Sequence, residues 1–154
     1  MDEQGRNRQG YEKLIVWQNA AKLRRLVYQA TARFPAKECR RVSQMNDAAR
    51  SVKQNIQEGY KRLSLGEYIY FLGISHSSLG ELMGDWNDCF EDSLINEAEF
   101  RQGEELIGKT DYLFKRLIQS LQRKAADEKQ KKSRFRSQSG RSPNGPGQSQ
   151  AQNG

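Results

Sequence analysis

Residues 44–64 read Gln-Met-Asn-Asp-Ala-Ala-Arg-Ser-Val-Lys-Gln-Asn-Ile-Gln-Glu-Gly-Tyr-Lys-Arg-Leu-Ser, and the spacing inside this stretch decides the fold. Met45, Ala48, Ala49, Val52, Ile56 and Gly59 recur three and four residues apart, which places them on one face of a helix. The face is narrow and built from small residues, so a neighbouring helix can approach closely. Asn55 sits within it, and a polar amide on a packed face needs a fixed hydrogen-bond partner. On the opposite face Arg50, Lys53, Gln57 and Lys61 form a second, basic stripe. One helix thus carries a packing face and a charged face.

The flanking sequence predicts three more helices. Val16, Ala20, Leu23, Val27, Ala30 and Phe34 set the core stripe of a first helix, expected over residues 15–33 and stopped by Phe34-Pro35. Lys22, Arg25, Gln29 and Arg33 repeat the i, i+3, i+7, i+11 spacing of the basic stripe described above. The second helix is expected over residues 37–60. Ser64 with Glu67 reads as a capping box opening a third helix, expected over 65–94, with Tyr68, Leu72, Ser75, Leu79, Leu82, Trp86 and Phe90 inward. Gly73, Gly80, Gly84 and the neighbouring serines are unfavourable inside a helix and make sense where another helix lies very close. Asn96 with Glu99 caps a fourth helix lined by Phe100, Ile107, Thr110, Phe114, Leu117 and Leu121. Helices of this length are marginal alone, so the expected fold is all-α: an antiparallel up-down-up-down four-helix bundle over residues 11–122. Residues 1–10 are expected to be a flexible N-terminus. Residues 123–154, where the apolar period fails, are expected to form a basic, Ser/Gly/Gln-rich disordered tail.

The pattern Gln44-x-x-x-Ala48-Ala49-Arg50-Ser51-x-x-x-Asn55-Ile56-x-Glu58-Gly59, followed by Ser64-Leu65-x-Glu67-Tyr68-Ile69-x-Phe71-Leu72, resembles the four-helix-bundle family of rRNA intervening-sequence proteins. That family includes the accessory variability determinant proteins of diversity-generating retroelements. Leu14-x-Val16-Trp17-Gln18 and Phe34-Pro35 agree with the same pattern, in which Gln44, Asn55, Glu58 and Gly59 are the structural motif. The chain departs from it at Asn46 and Asp47, where many members carry two arginines. The resemblance implies a barrel-like homopentamer with a basic surface, and, for the retroelement branch, a partner reverse transcriptase assisted in RNA-templated cDNA synthesis.

Charge and composition narrow the function. Residues 22–62 carry eleven basic and three acidic side chains, residues 63–122 four and eleven, and residues 123–154 eight and two. The fold is therefore polarised, and the tail holds an excess of positive charge. Charged residues make up 29% of the chain and no apolar run is long enough to span a bilayer, so no membrane partner is expected. The N-terminal residues lack the apolar core of a signal peptide, and Cys39 and Cys89 form neither a zinc pattern nor a disulfide framework. A cytoplasmic location is expected, with each cysteine packed as a small apolar residue.

Nothing in the sequence assembles a catalytic site. His76 is the one histidine, and the residue three before it is Gly73, so the Glu-x-x-His motif of di-metal bundles is missing. Glu81, Asp85, Asp88 and Asp92 share a helical face that a divalent cation would accept, but a solvated acidic face, or one meeting basic residues of another subunit, is the better reading. No metal, cofactor or catalytic residue is expected. The leading expectation is a non-enzymatic, oligomeric accessory protein that binds RNA or DNA through phosphates. Lys22, Arg25, Arg33, Arg50, Lys53 and Lys61 would contact phosphate from the helices, and Lys131, Lys132, Arg134 and Arg136 from the tail. The alternative is a protein–protein adaptor in which the basic stripes meet the acidic face of a neighbouring subunit and bind no nucleic acid.

Overall fold

Four α-helices and two single 3₁₀ turns make up the described residues, Gly10–Gly140, of the computed structural model. They run in the order 3₁₀ turn Gly10–Lys13, α1 Ile15–Thr31, 3₁₀ turn Ala36–Glu38, α2 Cys39–Tyr60, α3 Leu65–Glu91 and α4 Glu97–Ser139. Helix α2 packs between α1 and α3, and α4 closes the square against α3 and α1. This is the four-helix bundle that the periodicity implies. The expectations for residues 1–9 and 141–154 lie outside the described residues.

The core is the set of stripes read from the sequence. Val16, Ala20, Leu23 and Val27 of α1 meet Met45, Ala49, Val52 and Ile56 of α2, Leu72, Leu79, Leu82 and Trp86 of α3, and Ile107 and Phe114 of α4, all buried. Two glycines set how closely the helices approach. A Cβ on Gly59 would lie 2.9 Å from the Phe71 Cβ and 2.9 Å from the Tyr68 ring, so α2 ends pressed against α3 only because that Cβ is missing. A Cβ on Gly103 would overlap the Trp86 indole, whose Nε1 donates to the Phe100 carbonyl at 3.1 Å. Gly103 gives the fully buried Trp86 a place to lie across α4.

Several expectations are corrected. Phe90 points outward, 39% exposed, and stacks on Phe100 at 4.5 Å between ring centroids instead of entering the core. Helix α3 stops at Glu91 rather than Leu94, because Ser93 adopts a left-handed backbone (φ 59°) and the Leu94 amide folds back onto the Cys89 carbonyl at 2.8 Å. Cys89 is buried with its thiol against the Met45 sulfur, but Cys39 is exposed. At Ser64 the hydroxyl half of the capping box forms, whereas Asn96 and Glu99 form both halves. Gly73, Gly80 and Gly84 face open space, so no helix of the same chain crowds them.

The largest correction concerns the C-terminal segment. Helix α4 runs on to Ser139, so residues 123–139, expected in the tail, are helical although their apolar period has lapsed. Ala125, Ala126, Lys129, Gln130, Lys131 and Lys132 are strong helix formers, and Asp127 and Glu128 each precede a lysine by four residues. Neither glycine nor proline interrupts before Gly140. The extension reaches about 25 Å past Gln122, at 1.5 Å per residue. Beyond Ala125 every described side chain is exposed.

Replacement of Ile56 by Ala is expected to cost about 2–5 kcal/mol through lost burial and a residual cavity. Gly103→Ala should cost about 1–3 kcal/mol by displacing Trp86. Gly108→Ala, at a helical position facing open space, should instead stabilise by about 0.5–1 kcal/mol. Denaturant melts of the three variants check this ordering, and equal effects at Gly103 and Gly108 would contradict the packing described.

Candidate nucleic-acid interface

Helix α2 has two polar flanks, and they differ in kind. Toward α3 it presents small groups: Ser51 Oγ lies 2.8 Å from Ser78 Oγ, and the Asn55 amide donates to the Ser51 hydroxyl at 3.0 Å and its carbonyl at 2.9 Å. The Ser75 hydroxyl, fully buried, donates to the Val52 carbonyl at 2.7 Å. Asn55 thus has the fixed partner that its position requires. Gln44 lines the groove beside this seam, and Glu58 is exposed, with a loose ion pair to Arg62 at 3.8 Å. Toward α1 the flank is longer and basic. There the Asn46 amide donates to Thr31 Oγ1 at 3.0 Å and Gln57 Oε1 accepts from Trp17 Nε1 at 3.3 Å. Asn46 thus ties α2 to α1.

On that flank the Lys53 ammonium sits 5.2 Å from the Trp17 ring centroid, close enough to Arg24 and Arg25 to feel their charge. Partial burial first, then Arg24 and Arg25, hold the Lys53 pKa below the usual lysine range, against an opposing pull from Glu12. Further along, Lys61 lies 5.8 Å from the Tyr11 ring, which is 5.5 Å from Trp17 and 6.4 Å from Tyr60. Arg50 is exposed on the same helix. None of Arg24, Arg25, Arg50, Lys53 and Lys61 forms an ion pair among the described residues.

The first helix's stripe does not hold together as the spacing suggests. Lys22 lies on the other flank of α1, in a groove with Leu26, Gln102, Glu105 and Lys109 of about 350 Å³. Arg33 pairs with the Glu99 carboxylate, whose partner oxygen caps the Asn96 amide, so its charge is matched inside the fold. Arg24, outside the stripe, takes the place beside Lys53. A spacing of seven and four from Trp17 through Arg24 to Tyr28 was the available signal. Lys131, Lys132, Arg134 and Arg136 are all exposed on the α4 extension.

The acidic residues gather elsewhere. Glu81 and Asp85 line a groove between α2 and α3 of about 520 Å³, with Asp88 in the groove next to it. Partial burial, reinforced by Asp88 and Glu81, raises the Asp85 pKa, and Arg41 opposes it. Arg41 bridges Asp92 at 2.8 Å and Glu38 at 3.0 Å. His76 is hydrogen-bonded to Asp111 at 2.6 Å, and Asp111 also pairs with Lys115 at 2.9 Å, which with His76 holds its carboxyl below the usual range. Among the described residues no group of three His, Cys, Asp or Glu side chains is placed to hold a metal ion. Nor is any described helix long and apolar enough to cross a membrane.

A family model described as "23S rRNA-intervening sequence protein" matches residues 12–119, which spans all four helices. The chain belongs to this family. A solved structure from Bacteroides thetaiotaomicron, a protein of unknown function from the S23 ribosomal protein family, is similar in fold to this chain. The two chains are 16% identical and superpose with a TM-score of 0.60 over 68% of this chain and 96% of that one, a likeness of fold. No curated protein matches the chain. The family match stops before the basic extension of α4.

Lys53 supplies a test of what the basic flank does. Its lowered pKa means that the fold binds this proton less tightly than the unfolded chain does. Its charge therefore opposes folding at neutral pH, a cost that begins to fall as pH passes the folded pKa and is gone above the ordinary lysine pKa of the unfolded chain. Lys53→Met keeps an apolar stem against Trp17 and removes the charge. Its melting temperature at neutral pH is expected to equal or exceed that of the parent, within about 0.5 kcal/mol of stability. A clear loss in the melt would show that Lys53 serves the fold.

Proposed function

We propose that the protein is a non-enzymatic, oligomeric accessory protein that binds nucleic acid through the phosphate backbone. The observation that carries this reading is the α1–α2 flank, where Lys53 lies partly desolvated over Trp17, Arg24 and Arg25 add like charge against the pull of Glu12, and none of the three cations forms an ion pair among the described residues. Structural charges on a helix surface normally find opposite partners or spread apart, and repulsion retained in the fold is characteristic of sites that meet an anion. Arg50 and Lys61 lengthen the patch, and Lys131, Lys132, Arg134 and Arg136 add a second basic element on the α4 extension. Nothing on these surfaces has the geometry of a groove-reading helix with base-edge side chains, so the recognition is sequence-independent. Assistance to a reverse transcriptase, as in the retroelement branch that the sequence resembles, is the most specific form of this reading.

Self-association belongs to the same proposal. Gly66, Gly73, Gly80 and Gly84 lie along the outer face of α3, where an added Cβ would touch nothing. Exposed glycines weaken a helix, and close approach by a second copy accounts for them. A pentamer is the expected form, from the family resemblance.

Affinity for a generic RNA or DNA should fall steeply with salt, since each neutralised phosphate releases condensed counterion. Deletion of residues 123–154 should weaken binding and flatten the salt slope without abolishing it. Arg50→Glu combined with Lys53→Glu in the truncated chain should remove the remainder while the helical fold persists. Binding lost with the tail alone would demote the α2 cations. Absence of any binding at about 50 mM salt, where screening is weak, would favour the adaptor reading. Light scattering should return an oligomer that Gly80→Leu dissociates, and a monomer in both low and moderate salt would remove the assembly.

A further inference from the structure

The basic flank between α1 and α2 also carries aromatic rings. Tyr28 is 65% exposed, one helical turn from Arg24, and meets no other ring among the described residues. Trp17 is half-buried beneath Lys53, Tyr11 lies 5.5 Å beyond it beneath Lys61, and Tyr60, 42% exposed, lies 6.4 Å beyond Tyr11. Rings and cations therefore alternate along one face. Trp17 and Tyr28 are about 16 Å apart along the helix axis, at 1.5 Å per residue. A single exposed tyrosine needs no explanation. A row of rings interleaved with cations that form no ion pair among the described residues is what a polyanion with flat apolar groups would fit.

We propose that this face binds single-stranded nucleic acid, with unpaired bases stacking on Tyr28, Tyr60 and Trp17 and phosphates held by Arg24, Lys53 and Lys61. The inference rests on the nucleic-acid reading above and specifies its substrate class. A duplex hides its base faces within its own stack and offers mainly phosphates to a flat protein surface, which would leave the exposed rings without a partner. A single strand presents the π-face of each base, and stacking on aromatic side chains is tolerant of sequence because every base has such a face. Lys53 covers the Trp17 ring in the free protein, so an arriving base takes that position and the ammonium turns to a phosphate. The move relieves the repulsion from Arg24 and Arg25.

The two tryptophans make this measurable. Trp86 is fully buried and silent to solutes, so a change in fluorescence on binding reports Trp17. The probes are a mixed-sequence oligonucleotide about a dozen nucleotides long, an abasic strand with the same number of phosphates, and a matched duplex, added to the full-length chain at low salt. The base-bearing strand is expected to quench Trp17 and to bind at least about fivefold more tightly than the abasic strand, as stacking of about 1 kcal/mol implies. Tyr28→Ala should weaken binding of that strand and leave the abasic strand and the duplex unchanged, with circular dichroism confirming an intact fold. Equal binding of base-bearing and abasic strands without quenching would overturn the stacking site and leave the phosphate reading standing. Failure of all three probes to bind would overturn both.

Discussion

The close approach of α2 to α3 governs where everything else can go. Gly59 allows contact with Tyr68 and Phe71, and the hydroxyls of Ser51, Ser75 and Ser78 satisfy one another and the Val52 carbonyl along the seam. Such a seam has no room for long side chains. Of the cations of α2, Lys53 lies on its other flank, where α1 brings Arg24 and Arg25 alongside, while Arg41 at the start of the helix reaches past α3 to Asp92. Packing on one side of the helix thus leaves Lys53 on the other. Like charges on one flank repel, and the strain is eased by solvent, by Glu12 and by the Trp17 and Tyr11 rings under Lys53 and Lys61.

The opposite half of the molecule carries the counterpart. Residues 63–122 hold eleven carboxylates against four cations, many of them paired locally, as in Arg101 with Glu97 and Glu104, and Lys109 with Glu105. Residues 22–122 are together close to neutral, yet residues 22–62 are basic and residues 63–122 acidic. A polyanion approaching such a molecule is steered to one face and repelled from the other, which orients encounter without any specific contact. The α4 extension leaves the acidic half and carries positive charge beyond the end of the bundle.

Much of the fold was legible because burial imposes a period on the sequence. The stripes through Val16–Ala30 and Met45–Ile56 were visible residue by residue, as was the Asn96–Glu99 capping box. What misled were features whose physics is not periodic. Phe90 stacks on Phe100 outside the core, and Gly103 matters only because Trp86 reaches across from another helix. The α4 extension is helical by local propensity alone, a signal hidden by attention to apolar spacing. At the candidate interface, Lys53 and Arg50 were found by spacing, but Lys22 and Arg33 share their stripe on paper and face α4 in three dimensions. Arg24 and the aromatic rows were missed because the flank they share belongs to two helices, and no single-helix pattern shows it.

The central claim is that nucleic acid lies on the α1–α2 face. Ultraviolet crosslinking of a bound oligonucleotide, followed by mass-spectrometric mapping of the modified peptides, tests it most directly. The expected crosslinks fall on peptides containing Trp17, Tyr28 and Tyr60, with additional ones on the α4 extension at Phe135, and none on the Glu81–Asp88 face of α3. Crosslinks concentrated on α3, or on the outer side of α4 around Tyr112 with the α1–α2 peptides unmodified, would contradict the account.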